Sequence, residues 1–330
     1  MFVVAGVSGN TGSVVANTLL SQGRKVRVLV RDAAKGAAWK AKGAEVAVAD
    51  LHGAQDALAS AFAGAEGAYV LFPPLMRDDF LEVNARAARA VVGALRAVRV
   101  GHTVLLSSIG AQHAAGTGPI VALHRAENEI RTAGIDATFV RAAYFMENVG
   151  TGLQAAATDG VLPALGDPTF AFAMIATDDI GRTVARTLLG PRKGQHVVNL
   201  SYPQPYSLDD AAAAIGRALG RPVKTARVPD ERIADTLVGY GMPRGNAASM
   251  QEMVIAGSRG LLAFDPSGEV AQGTVSIDAF RRGWSGRARN RVHSAHPAPS
   301  RARRVGRRHS ERLCSHRGSP DCHEGRDRRG

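Results

Sequence analysis

The feature that most constrains this chain is Gly6-Val7-Ser8-Gly9-Asn10-Thr11-Gly12, which directly follows a short apolar run and opens an amphipathic stretch. Glycines in that spacing between a strand and a helix predict a dinucleotide-binding turn. Gly6 would allow the tight turn, Gly9 the close approach of a pyrophosphate to the backbone, and Gly12 the packing of the helix on the sheet. The first turn of the helix would offer unpaired N–H groups to phosphate oxygens. Gly6, Ser8, Gly9, Asn10, Thr11 and Gly12 are therefore candidate cofactor contacts. The spacing is G-x-x-G-x-x-G and not the G-x-G-x-x-G of ordinary dehydrogenases.

The motif heads an alternating series. Short Val- and Leu-rich runs at Phe2–Gly6, Lys25–Val30, Glu45–Val48, Ala68–Phe72, Thr103–Ser107 and Ala137–Arg141 read as strands buried on both faces. Helical stretches fall at about Thr11–Gln22, Asp78–Val98 and His124–Thr132, the first and last stopped by Gly23 and Gly134. Alternation of this kind predicts an α/β fold, a Rossmann-type doubly wound parallel sheet over residues 1–150. After Asn148 the chain becomes rich in glycine and proline. Ala176–Leu189 reads as a helix and Val197–Leu200 as a strand, so residues 171–200 are expected to pack back on the first domain. Ser207–Leu219 reads as a helix whose Ser207 and Asp210 form a capping box, closed by Gly220. Residues 151–284 are assigned to a smaller α/β lobe carrying substrate contacts.

The net charge of +12 suggests nucleic acid until it is located. After Trp284 lie 13 Arg against 4 Asp+Glu, which leaves residues 1–284 at only +3. The same tail holds both cysteines, Cys314 and Cys322, and no Phe, Trp, Tyr, Ile or Met. Such a segment cannot bury enough apolar surface to offset its ordering entropy, so residues 285–330 are expected to be disordered. Their Arg/Ala/Gly/Pro/His/Ser mix is also what a GC-rich gene yields out of frame; a native tail and a frameshift product stand as alternatives. A nucleic-acid role rests on tail charge alone and is the weakest reading. No metal site is expected, because Cys314-x-His316 and Cys322-His323 lack paired zinc-ligand spacing. No apolar run approaches membrane-spanning length and no leader precedes the first strand, which predicts a cytoplasmic protein, monomeric or homodimeric.

The exit of the second strand bears on the choice of cofactor. It reads Val30-Arg31-Asp32, with Lys35 beyond. A basic residue there suits a ribose 2′-phosphate, so Arg31 favours NADP(H), with NAD(H) open through Asp32. Asp50, after the third strand, would accept from the adenine amino group. Phe72 and Pro73, after the fourth, would border the sugars, and Ser107, ending the fifth, would lie near the nicotinamide.

These residues resemble the NmrA-like branch of atypical short-chain dehydrogenases, including quinone-reductase-like members. The resemblance runs through the Gly6–Gly12 motif, Val26–Asp32, Gly43–Val46 with Ala49–Leu51, Val140–Asn148, Ala176–Gly181 and Leu219–Val223, covering about residues 2–282. It implies NADP(H) held by Gly9, Asn10, Thr11, Gly12, Arg31, Phe72 and Pro73, with Tyr144–Asn148 lining the cleft. The chain departs from typical short-chain dehydrogenases in lacking Tyr-x-x-x-Lys, since no tyrosine has a lysine four residues on. His124 and Tyr144 are the candidate proton donors, set against a helix-start histidine and an aromatic cleft wall. Two functions follow. One is an NADPH-dependent reductase of a quinone or similar small electron-poor acceptor. The alternative is a non-catalytic redox sensor that couples NADP(H) to a regulatory protein.

Overall fold

The computed structural model describes residues 1–190 and 193–280, so the expectation of a disordered tail at 285–330 lies outside the described residues. In chain order the first elements are β1 (Phe2–Val4), α1 (Asn10–Ser21), β2 (Val26–Val30), α2 (Ala37–Lys40), β3 (Glu45–Val48) and α3 (Gln55–Phe62). They are followed by β4 (Gly67–Val70), α4 (Phe80–Ala97), β5 (His102–Ser108), α5 (Val121–Thr132) and β6 (Ala137–Ala142). The remainder comprises β7 (Tyr144–Phe145), α6 (Leu153–Asp159), β8 (Val161–Leu165), β9 (Met174–Ile175), α7 (Thr177–Leu189) and β10 (Gln195–Ser201). Last come α8 (Leu208–Leu219), β11 (Lys224–Val228), α9 (Ile233–Gly239), α10 (Arg244–Ser258) and β12 (Glu269–Gln272).

Eight strands form one parallel sheet in the order β12-β10-β6-β5-β4-β1-β2-β3. Strand residues alternate between two helical layers, as period-two geometry requires. Val104 and Leu106 of β5 join the core under α1 and α7, with Val15, Leu19, Ile180 and Val184. Leu105 faces the opposite layer, with Leu58 of α3, Val91 of α4 and Ile130 of α5. The chain leaves β1 toward the α1 layer and β4 toward the α4 layer. A crevice therefore opens at the carboxyl ends of these two neighbouring strands, the switch point at which open α/β sheets bind ligands.

β10 and β12 extend the main sheet, so the chain returns to it twice from the segment after residue 150. Between those returns, β8 pairs with β11 and packs with α6 and α8 around Leu153, Leu162, Ala211 and Ile215. Ser207 and Asp210 form the capping box of α8, and Gly220 closes it in the left-handed region at φ 71°. α3 and the longer α10 are helices the sequence reading did not anticipate; the only large buried side chains of α3 are Leu58 and Phe62.

α7 links distant parts of the molecule. A Cβ on Gly181 would lie 2.5 Å from the Cβ of Val14, so only glycine lets α7 approach α1 this closely. At the start of α7, Glu147 accepts from the Thr177 backbone at 3.0 Å, and Asp179 accepts from the backbones of Thr274 (2.9 Å) and Val275 (2.8 Å). Acidic groups at a helix N-terminus are stabilised by the unpaired N–H groups and the helix dipole.

Candidate functional site

The three glycines of the first turn have three different reasons to be there. Gly6 sits at φ +68°, a left-handed conformation that side chains resist, and its missing Cβ makes room for Leu71. Gly12 carries no Cβ because one would lie 2.4 Å from the Gly6 carbonyl oxygen and 2.6 Å from that of Ala5. Gly9 is under a milder constraint. Its φ of −99° and ψ of 179° suit any residue, and a Cβ would meet only the Gly6 oxygen at 3.3 Å. Ser8, Gly9 and Asn10 are exposed at the crevice, and no side chain caps α1. The first-turn N–H groups therefore lack helix-internal acceptors and form a cradle for an anion.

Thr11 belongs to the cradle through its backbone. Its side chain is buried, and its hydroxyl accepts from Tyr69 of β4 at 2.8 Å. Tyr69 is fully buried, which pushes its phenol above the usual range. It pins the first turn of α1 to the neighbouring strand, a role that no local feature of the sequence signals.

Arg31 leaves β2 exposed, with no hydrogen-bond or ion-pair partner among the described residues. Asp32, beside it, serves its own turn. Its carboxylate accepts from the Ala34 backbone at 2.9 Å and caps Ala33–Gly36. Asp50 is exposed after β3 and accepts from the His52 backbone at 3.0 Å. Phe72 is half-buried against the α3–α4 core and Pro73 is exposed, both just beyond the Leu71 that touches Gly6.

Two candidate side chains are committed to partners within the fold. Ser107 is buried and its hydroxyl donates to Glu127 of α5 at 2.6 Å, because strand alternation turns it into the α5 layer. There it belongs to a polar cluster centred on Arg141, which donates to Glu127 at 2.6 and 2.9 Å and to Asp265 at 2.7 Å. The Asp265 carboxyl is held below its ordinary range, first by the Ser267 hydroxyl and also by Arg141. His124 bonds to its own surroundings through both ring nitrogens. Its Nδ1 donates to the Ala111 carbonyl at 2.8 Å, so Nε2 takes the acceptor role toward the Asn128 amide, also at 2.8 Å. Both ring nitrogens are thus engaged within the fold.

Tyr144 is different. It lies half-buried just past the carboxyl end of β6, edge-on to Phe172 with ring centroids 5.2 Å apart. Its phenol is pushed up to about 12 by burial, and its hydroxyl has no hydrogen-bond partner among the described residues. At physiological pH such a group is a neutral donor.

A cavity of about 650 Å³ beside Arg186, Lys193, His196 and Glu269 lies at the amino ends of β10 and β12, the edge opposite the glycine cradle. Among the described residues no cluster of three or more His, Cys, Asp or Glu side chains could hold a metal, and no helix is long and apolar enough to cross a membrane.

A parallel sheet with helices on both faces and a glycine cradle at its switch point defines a Rossmann-type dinucleotide-binding architecture. The NmrA-like family matches over residues 1–271, and the chain belongs to that family. An NAD(P)H azoreductase of Xenophilus azovorans is 30% identical over 258 residues, 77% of this chain and 86% of that protein. The Escherichia coli NADPH-dependent quinone oxidoreductase in complex with NADPH superposes with a TM-score of 0.73 at 23% identity, over 86% of this chain and 99% of that one. The Citrobacter sp. triphenylmethane reductase complexed with NADP(H) superposes at 0.66 and 22% identity, over 84% and 94%.

Proposed function

We propose that this protein is an NADPH-dependent reductase of a quinone or similar small electron-poor acceptor. The observation that carries the reading is Gly9, at the mouth of the switch-point crevice, a glycine that its backbone conformation does not require and that packing restricts only through the Gly6 oxygen, 3.3 Å from where a Cβ would lie. Close approach of a pyrophosphate accounts for it. Unpartnered Arg31 at the β2 exit would pair with a ribose 2′-phosphate, while Asp32 is drawn into its own turn. Asp50 would accept from the adenine amino group, and Phe72 and Pro73 would border the sugars. The NAD(P)H azoreductase relative and the NADPH-bound structural neighbours agree with this cofactor.

When bound, the reduced nicotinamide supplies the hydride. Tyr144 would donate a hydrogen bond to the acceptor atom that gains negative charge, and its high pKa keeps that proton in place through neutral pH. The absence of Tyr-x-x-x-Lys is tolerable for a conjugated acceptor, which needs positioning more than a strong acid. We place the protein in the cytoplasm, as a monomer or homodimer.

Steady-state assays of the full chain with NADPH and a panel of quinones and azo compounds test the reading. Turnover supports it. Tight NADPH binding without turnover of any acceptor would replace it with the sensor reading, in which a regulatory protein reads the bound cofactor. Failure to bind either nicotinamide cofactor would refute both.

A further inference from the structure

α10 bridges two neighbouring strand exits, those of β4 and β5. At its amino end it meets the loop after β4. The Gly245 N–H donates to Asp78 Oδ1 at 2.6 Å, and Asn246 Nδ2 donates to the Leu75 carbonyl at 2.8 Å. The approach is so close that a Cβ on Gly245 would lie 3.0 Å from Asp78 Oδ1. Farther along, α10 rests on the turn after β5. Gly118, at φ +59°, has no room for a Cβ, which would lie 2.1 Å from the Ser249 carbonyl oxygen. The loop held at the first point begins at Leu71, against Gly6 of the cradle, and passes through Phe72 and Pro73.

Apart from these bonds the loop has little to hold it. Pro73, Pro74, Met76, Arg77, Asp78 and Asp79 are all exposed. Asn246 is informative because it is 8% exposed and its Oδ1 is buried without a partner among the described residues. A buried amide with an unpaired oxygen is unfavourable for the fold, and alanine would pack in its place. The bond to Leu75 is what the asparagine supplies.

We propose that Asp78 and Asn246 are positioning residues: together they clasp the Phe72–Asp79 loop to α10 and so hold Phe72 and Pro73 in place beside the dinucleotide. The inference rests on the proposed function, in which those two residues border the cofactor sugars. The clasp joins residues 167 and 171 positions apart in the sequence, and it makes α10 and the cofactor-side loop one unit.

The test compares the full chain with Asp78→Ala, Asp78→Asn, Asn246→Ala and the Asp78→Ala/Asn246→Ala double variant. The dissociation constant of NADPH is read from nicotinamide fluorescence. Loss of one clasp bond is expected to weaken NADPH roughly fivefold. Asp78→Asn keeps an oxygen that accepts from Gly245 and should stay within about twofold. The double variant should fall short of the product of the singles, since both bonds hold one loop. Hydrogen exchange without cofactor gives a second readout: backbone exchange over residues 72–79 should rise in Asp78→Ala and be restored in Asp78→Asn. Unchanged exchange there, or equal damage from Ala and Asn at 78, would overturn the clasp. Should the unmodified chain fail to bind NADPH, the functional reading falls while the exchange experiment still decides the clasp.

Discussion

Replacing Gly9 with alanine separates a ligand-driven glycine from a fold-driven one. The backbone at Gly9 already suits alanine, and the added methyl would meet only the Gly6 oxygen, at 3.3 Å. Lower entropy of the unfolded chain favours alanine by about 0.4–1 kcal/mol, and its poorer N-cap preference offsets this by up to about 1 kcal/mol. With the Gly6 oxygen yielding by a few tenths of an ångström, the net change in stability stays within about 1 kcal/mol, and Tm should move by less than about 4 °C. Binding should respond differently. A phosphate oxygen must come within about 2.7–3.2 Å of a backbone nitrogen to form its hydrogen bond, and a methyl over the cradle prevents that approach. Losing one such bond to a charged group costs about 1.5–3 kcal/mol, roughly 10- to 150-fold in affinity. Gly12→Ala is the contrast. Its Cβ would fall 2.4 Å from the Gly6 carbonyl oxygen, so α1 itself must move, at a cost of about 1–3 kcal/mol in stability. Thermal denaturation and NADPH titration of both variants make the comparison. If Gly9→Ala binds NADPH like the parent, or loses as much stability as Gly12→Ala, then a bound phosphate is not the reason for Gly9.

Four other outcomes follow from the same geometry. Arg31→Ala should weaken NADPH by about 10- to 100-fold while leaving NADH within about threefold, as paired titrations would show. Arg141→Ala should destabilise the fold by about 3 kcal/mol in chemical denaturation, because it leaves the buried Glu127 carboxylate with only the Ser107 hydroxyl and the half-exposed Arg131 at 3.5 Å. In the parent, the depressed pKa of Asp265 supplies stability that is present above the ordinary carboxylate range and lost as pH falls through the lower folded value. Asp265→Asn should flatten that acid limb of the stability profile. Tyr144→Phe should lower kcat by about 10- to 100-fold with NADPH affinity unchanged, and the parent's rate should show no Tyr144 ionisation below about pH 10, given a phenol pushed up to about 12.

Much of the sheet was legible because strands buried on both faces write themselves as short Val/Leu runs, and β2 and β6 lie where those runs fall; β3 was placed correctly but is an edge strand with Val48 57% exposed, not buried on both faces. The capping box at Ser207 and Asp210 was equally readable, since it is a local rule. α3 was not, because an alanine-rich segment with only Leu58 and Phe62 to bury has almost no periodicity. In the site, the glycine turn and Arg31 were visible as local signals. The roles of Ser107 and Thr11 were not: each hydroxyl is committed to a partner, Glu127 and Tyr69, that only the packed sheet brings near. His124 shows the same limit, its ring engaged by Ala111 from the preceding loop. The bonds from Asp78 and Leu75 to α10 depend on tertiary assembly and leave no pattern in the sequence.

A single-turnover experiment with the full chain tests NADPH-dependent reduction most directly. The protein is loaded with NADPH, mixed with a quinone without oxygen, and followed by the absorbance of the reduced nicotinamide. A reductase loses that absorbance in step with quinone reduction, faster than in protein-free solution, and loads far more weakly with NADH. Stable NADPH absorbance in protein that has bound the cofactor would contradict a reductase, whatever the fold.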